Sequence, residues 1–154
     1  MVNEFHLAQY NIGRIRRPLD HPDVAEFIAA LDPINALAER SPGFVWRLTD
    51  EEGQSSSYVK VEGIDDPLLV VNYSIWSDLD SLKHFVHKSG HIGYLRRRRE
   101  WFEPSEEATS VAWWIPAGTI PDVDEAHQHL LHLREHGPTA TGWPLTKPWP
   151  LPES

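Results

Sequence analysis

The spacing of apolar and polar residues divides this chain into alternating strand-like and helix-like stretches. Glu4 to Ile12 mixes apolar and polar positions with no early Pro or Gly cluster, which predicts a first strand over about Glu4–Ile12, ending near Gly13. Val24, Phe27, Ile28, Leu31, Ile34 and Leu37 then recur at i, i+3, i+4, i+7, the signature of a helix with one apolar face. Asp20 or His21 caps this helix, with Pro22 in its first turn. Pro33 falls inside the pattern and predicts a kink or a restart, since Asp32-Pro33 also suits a new helix N-terminus; Ser41-Pro42-Gly43 ends the segment.

Gly43–Asp50 alternates as a strand, with Phe44, Trp46 and Leu48 on one face and Val45, Arg47 and Thr49 on the other, before an acidic loop at Asp50–Ser57. Pro67–Trp76 is nearly continuous in β-forming residues, which predicts a central strand covered on both faces. Ser77-Asp78-Leu79-Asp80 resembles a capping box and opens a helical pattern to about Phe102, with a bend at Ser89-Gly90. Glu106–Pro116 reads as another strand, with Val111, Trp113 and Ile115 opposite Ala112 and Trp114. Pro121–His136 reads as a last helix whose apolar positions are Val123, Ala126, Leu130 and Leu133, with His129, His132 and His136 on its exterior face. The Pro- and Trp-rich stretch Gly137–Ser154 suits neither helix nor central strand, so Trp143 and Trp149 either anchor an extended tail to the body or a partner, or belong to a loose end.

Strand, helix, strand, strand, helix, strand is the split βαβ order of an α+β, ferredoxin-like antiparallel sheet with helices on one face. We read residues 1–138 as that single domain, with an extra C-terminal helix, and 139–154 as a tail. Because both strand faces are apolar and helices are expected on one, sheet-to-sheet pairing into a homodimer is the simplest way to cover the other.

Composition narrows the chemistry. The chain has 154 residues, the size of one domain, and no cysteine, which excludes disulfides, thiolate catalysis and Cys-ligated metals. The N-terminus lacks the basic and apolar regions of a signal peptide, and no stretch approaches the roughly 20 apolar residues of a membrane span, so a cytoplasmic protein with no membrane partner is expected. A formal charge of −9 opposes binding to phosphate backbones, and the one basic cluster, Arg96–Arg99, is local; no nucleic-acid partner is expected.

Three segments are specific enough to suggest kinship: Ala36-Leu37-Ala38-Glu39-Arg40-Ser41-Pro42-Gly43-Phe44-Val45-Trp46-Arg47-Leu48, Phe85-Val86 with Ser89-Gly90-His91, and Leu-Arg-Arg-Arg-Arg-Glu-Trp-Phe from Leu95 to Phe102. They resemble the family known as domain of unknown function 3291, within the dimeric α+β barrel superfamily, over about Phe5 to Pro138. The resemblance implies a fold and no single reaction. The superfamily includes cofactor-free antibiotic-biosynthesis monooxygenases, haem-degrading enzymes and other haem proteins, small-molecule lyases and members without known catalysis.

On the strand Pro67–Trp76, alternation places Leu68, Val70, Asn72, Ser74 and Trp76 on one face. The Asn-x-x-x-Trp spacing of Asn72 and Trp76 is similar to one in quinone-forming, cofactor-free monooxygenases of the superfamily, where an amide and an indole contact substrate oxygens. The alternative is that Trp76 is a core aromatic at a strand end and Asn72 satisfies a loop or helix end. Asn11 and Gln9 share a face of the first strand with Leu7 and either line the same pocket or are exposed amides.

On the second long helix His84, His87, His91, Tyr94, Arg98 and Trp101 follow steps of three and four and form one stripe beside Leu82, Phe85, Val86 and Leu95. His91 is the candidate general base or ligand, because imidazole titrates near neutrality. Arg98 is the candidate for a substrate carboxylate or enolate, with a solvated, salt-bridged face as its alternative. Asn11, Tyr94, Trp101 and Phe85 are the candidate substrate contacts. His87 and His91 lie at i, i+4, but the His-Glu-x-x-His pattern and a third ligand are absent, so no metal is expected.

These readings lead to a cofactor-free monooxygenase-like enzyme for a small, acidic, aromatic or polyketide-like molecule, with His91 removing a proton, Asn72 and Trp76 holding the oxyanion and Arg98 positioning the substrate. Two alternatives stand beside it. One is a haem protein with His91 or His87 as axial ligand, implied by the superfamily. The other is a non-catalytic homodimer that binds a metabolite, or an accessory protein that docks through its Trp-rich tail.

Overall fold

The computed structural model describes residues 4–49, 61, 64, 66–91 and 94–152, without the side chains of 89–91, 94–96 and 98. Its elements are β1 (Phe5–Arg14), a short 3-10 turn (Pro22–Val24), α1 (Ala25–Glu39), β2 (Phe44–Arg47), β3 (Leu69–Trp76), α2 (Leu79–His91), α3 (Tyr94–Trp101), β4 (Ser110–Pro116) and α4 (Val123–His136). The strands form one sheet in the order β2-β3-β1-β4, and every pairing is antiparallel. This is the ferredoxin-like α+β sheet that the element order predicts, with β3 and β1 at its centre.

Local chemistry accounts for most boundaries, and it differs from the sequence reading in four places. α1 runs unbroken through Pro33, with neither restart nor new cap. His21 caps the 3-10 turn that leads into it, its ring nitrogen accepting the Asp23 amide, while α1 itself begins after Val24 with no side-chain cap. Asp78, rather than Ser77, caps α2: its Oδ1 accepts the Ser81 amide at 2.7 Å, while the Ser77 hydroxyl supports the other oxygen at 3.0 Å. Helix continues through Ser89 and Gly90, and the break between α2 and α3 falls after His91. The acidic loop at Asp50–Ser57 lies outside the described residues, as does most of the stretch that follows it.

The fourth difference concerns β2. Its register against β3 shifts between Phe44 and Trp46, a bulge at Val45. An extra residue in one strand turns the following side chain to the opposite face. Phe44 therefore packs edge-on against Trp76 on one side of the sheet, and Trp46 packs edge-on against Tyr73 on the other. Simple alternation puts both on the same face; the bulge divides them.

The two faces of the sheet are chemically distinct. One carries Ala8, Tyr10, Ile12, Val71, Tyr73, Ile75, Val111, Trp113 and Ile115, packed against Ala126, Leu130 and Leu133 of α4. The chain thus covers this face with its own last helix. The exposed apolar face that called for a partner sheet is filled from within, and a homodimer is not required by this packing. The opposite face lies under α1, α2 and α3 through two apolar clusters. Leu7, Trp76, Leu82, Ala38, Ala112 and Trp143 form one; Ile15, Phe27, Leu31, Val70, Trp101 and Phe102 form the other. Gly13 allows the second to close, since a Cβ there would stand 2.5 Å from the Phe102 ring. Among the described residues no helix is long and apolar enough to cross a membrane.

The tail is part of the body. Trp143 exchanges both backbone hydrogen bonds with Ala112, at 2.8 and 3.0 Å, and so covers the free edge of β4. The Trp114 indole donates to the Trp149 carbonyl at 2.9 Å.

Candidate functional site

Between the two apolar clusters, on the face beneath α1 to α3, the sheet becomes polar. Antiparallel register places Gln9 opposite Ser74, Asn11 opposite Asn72, and Leu7 opposite Trp76. Directly opposed residues share a face, so Gln9, Asn11, Asn72, Ser74 and Trp76 converge on one patch.

They are joined by a directed set of hydrogen bonds. Gln9 Nε2 donates to Asn72 Oδ1 at 2.7 Å and to Ser74 Oγ at 2.8 Å. Asn11 Nδ2 donates to Gln9 Oε1 at 2.9 Å and, more weakly, to Asn72 Oδ1 at 3.4 Å. Trp76 Nε1 donates to Ser74 Oγ at 2.9 Å. Gln9 and Ser74 are buried, Asn11 is half-buried and Asn72 is exposed.

The donor and acceptor inventory shows what this network presents outward. Both hydrogens of the Gln9 amide and both of the Asn11 amide are committed, and Ser74 Oγ accepts two donors. What has no partner among the described residues is the amide nitrogen of Asn72, the hydroxyl proton of Ser74 and the carbonyl oxygen of Asn11. Among the described residues, two donor groups and one acceptor are thus left over in a cluster with no charged side chain in it. Such a group of donors suits an oxygen that carries, or develops, negative charge.

The other expected site residues are placed as follows. Phe85 of α2 is half-buried and stacked on Trp76, with ring centroids 5.1 Å apart at 25°. Trp76 is fully buried and its N–H is spent on Ser74, so its reach toward a ligand oxygen is indirect. Trp101 is buried in the second cluster against Phe27, with the Arg97 guanidinium 5.1 Å above its ring. His84 and His87 are exposed on α2. Arg97 pairs with Glu26 and Glu100, which accounts for one member of the arginine cluster. The side chains of His91, Tyr94 and Arg98 lie outside the described residues. Among the described residues no group of three or more His, Cys, Asp or Glu is disposed to hold a metal ion.

The helix α4 carries chemistry that sequence spacing misses. His127 is buried against the opposite sheet face, where its Nδ1 and the Tyr10 hydroxyl are hydrogen-bonded at 2.9 Å. Burial and the nearby Arg134 hold its pKa below the ordinary imidazole value, and burial raises that of Tyr10. His129 is not an exterior residue: it stacks on Trp113 at 4.1 Å and 12°, and its Nδ1–H donates to the Thr141 carbonyl at 2.6 Å. The His132 ring bonds Thr139 at 3.1 Å. Two of the three histidines read as a solvent face thus hold the tail to the helix.

The molecule is, in class, a ferredoxin-like α+β protein with an uncharged amide and hydroxyl cluster under its helices. The chain belongs to the family described as "Domain of unknown function (DUF3291)", which it matches over residues 6–154, tail included. It is similar to the crystal structure of SnoaB, a cofactor-independent oxygenase from Streptomyces nogalater, at 18% identity over 78% of this chain and 100% of that one, with a TM-score of 0.45. A mutant of that oxygenase gives 19% identity, coverages of 76% and 98%, and a TM-score of 0.46. No curated protein matches the chain.

Proposed function

We propose that the protein is a small-molecule enzyme that oxidises an acidic aromatic or polyketide-like metabolite without a cofactor, on the sheet face beneath α2. The observation that supports this most is the network rooted in Gln9, which leaves the Asn72 amide nitrogen and the Ser74 hydroxyl as donors without a partner among the described residues, beside the stacked Trp76 and Phe85. Aromatic walls suit a flat ligand. Paired neutral donors suit a phenolate or enolate oxygen and stabilise it without neutralising it.

The chemistry assigned to the site is the conversion of an aryl-flanked methylene to a ketone. A base removes a proton from the activated carbon, and His91 is the residue we assign to this step. Charge spreads to the phenolic oxygen, where Asn72 and Ser74 hold it; Trp76 acts through Ser74, fixing the hydroxyl so that its own proton points to the ligand. The carbanion reduces dioxygen and captures it as a hydroperoxide, which loses water. One methylene and one dioxygen give one ketone and one water, and the substrate supplies all the electrons. Arg98 is assigned to substrate positioning, and Asn11, Phe85, Tyr94 and Trp101 to the walls.

Dithranol, a phenolic tricycle with one such methylene, tests this reading. The expected result is quinone formation by metal-free protein with one dioxygen consumed per quinone. Equal turnover under strict anaerobiosis refutes it.

A further inference from the structure

We propose that Trp143, supplied by the C-terminal tail, is a ligand-contacting residue of this site whose indole N–H meets an acceptor oxygen on the bound molecule. The proposal rests on the reading of the amide cluster as a small-molecule site, and extends it to a tail residue that follows both β4 (Ser110–Pro116) and α4 (Val123–His136).

Trp143 has no solvent exposure, yet its Nε1 has no acceptor among the described residues. A buried N–H without a partner is uncommon and destabilising, and calls for a specific explanation. The neighbouring tryptophans do not share this condition: Trp76 donates to Ser74 and Trp114 to the Trp149 carbonyl. If Trp143 served only to fill space, phenylalanine would do so without an orphaned donor.

Its position joins it to the site. The double backbone hydrogen bond with Ala112 makes the two residues a directly opposed pair, so their side chains share a face. Ala112 is opposed to Gln9, and Gln9 to Ser74. One row across the sheet therefore reads Ser74, Gln9, Ala112, Trp143, all on the face beneath the helices. Ala112 presents only a methyl between the Gln9 amide and the indole, and Trp143 belongs to the same apolar cluster as Trp76 and Leu82.

The fold secures this placement. Thr139 and Gly142 exchange backbone hydrogen bonds in a tight turn just before Trp143, and His129 holds the Thr141 carbonyl at 2.6 Å. Gly142 lies so close to β4 and α4 that a Cβ would meet Val111 Cγ2 at 2.8 Å and the His129 carbonyl at 3.0 Å. The tail is thus seated against the body at the residue before the orphaned indole.

The test uses dantron, the quinone counterpart of dithranol, as a non-reacting probe, with indole N–H resonances recorded on the 15N-labelled full chain. The seven tryptophans give seven such signals, and the one missing in Trp143→Phe belongs to Trp143. The expected result is that saturation with dantron moves this signal downfield, and that Trp143→Phe binds the probe roughly three- to tenfold more weakly, the range for one lost neutral hydrogen bond, with no loss of thermal stability. An unmoved signal, or unchanged affinity in Trp143→Phe, overturns the assignment. If that variant fails to fold, the wild-type signal, assigned by its proximity to the Ala112 methyl, carries the same test. Binding that is lost in Asn72→Ala but indifferent to Trp143 refutes this inference alone, whereas no binding by the unaltered chain refutes the site reading with it.

Discussion

Gln9 Nε2 stands 2.7 Å from Asn72 Oδ1, and this contact decides which end of the Asn72 amide faces away from the sheet. With the carbonyl oxygen drawn to Gln9, the nitrogen and its two hydrogens are turned outward. Gln9→Glu keeps the volume but replaces the buried donor by an acceptor opposite Asn72 Oδ1 and Ser74 Oγ. The expected result is a turned Asn72 amide, a loss of stability of about 1–3 kcal/mol from unsatisfied buried groups, and at least roughly tenfold weaker binding of a phenolate. Urea unfolding and dantron titration read the two effects separately.

Ser74 is the acceptor that ties Trp76 to the network. Ser74→Ala removes a small hydroxyl and leaves the buried Trp76 N–H and one Gln9 hydrogen unpaired. Destabilisation of about 1–3 kcal/mol is expected, with Ser74→Thr milder because it retains the oxygen. A Ser74→Ala chain as stable as the original contradicts the assigned hydrogen bonds.

Stability is expected to fall on mild acidification through α4. His127 has a folded-state pKa held below the ordinary value of 6.5 by burial first and Arg134 second. His129 is lowered too, by burial, which outweighs the Thr141 hydrogen bond. Below about pH 6.5 the unfolded chain takes up protons that the folded chain refuses. The stability contributed by the neutral rings is therefore present above that pH and lost as pH falls toward their folded-state values. His127→Gln is expected to have a shallower dependence of unfolding free energy on pH between about 6.5 and 5. Asp78 acts in a separate, more acidic window. Burial pushes its carboxyl up, but hydrogen bonds from the Ser81 backbone and from the Ser81 and Ser77 side chains outweigh this and hold it below its ordinary value.

The tail makes an independent prediction. Gly142→Val introduces atoms where Val111 and the His129 carbonyl already stand, and overpacking of this kind costs about 1–3 kcal/mol. The expected result is a loosened tail with greater exposure of the Ala112 and Trp143 amides to hydrogen exchange, while amides in the β1–β3 pairing stay protected.

How far such features were legible in the sequence depends on whether they were local. Period-two alternation is a local property, so the common face of Asn72, Ser74 and Trp76, and that of Leu7, Gln9 and Asn11, could be read directly; that the two faces meet follows from register, which no short stretch encodes. The bulge at Val45 defeats alternation for Phe44 and Trp46, because one inserted residue reverses every side chain beyond it. His127 and His129 were hidden for another reason. α4 packs by Ala126, Leu130 and Leu133, and the margins of that stripe touch Tyr10 and Trp113 only once the sheet is formed. Trp143 gave a compositional signal but no positional one, since a single long-range bridge seats it.

If the donors of Asn72 and Ser74 hold an aromatic oxyanion, the ionisation of bound dantron reports it directly. Hydrogen bonds to a charged oxygen favour the ionised form, so the phenol should ionise about one pH unit or more lower when bound than when free. Asn72→Asp, the same size with its donors removed, should abolish or reverse that shift. A bound phenol that ionises as it does in water, or equally well in Asn72→Asp, rules out an oxyanion-holding role for Asn72 and Ser74.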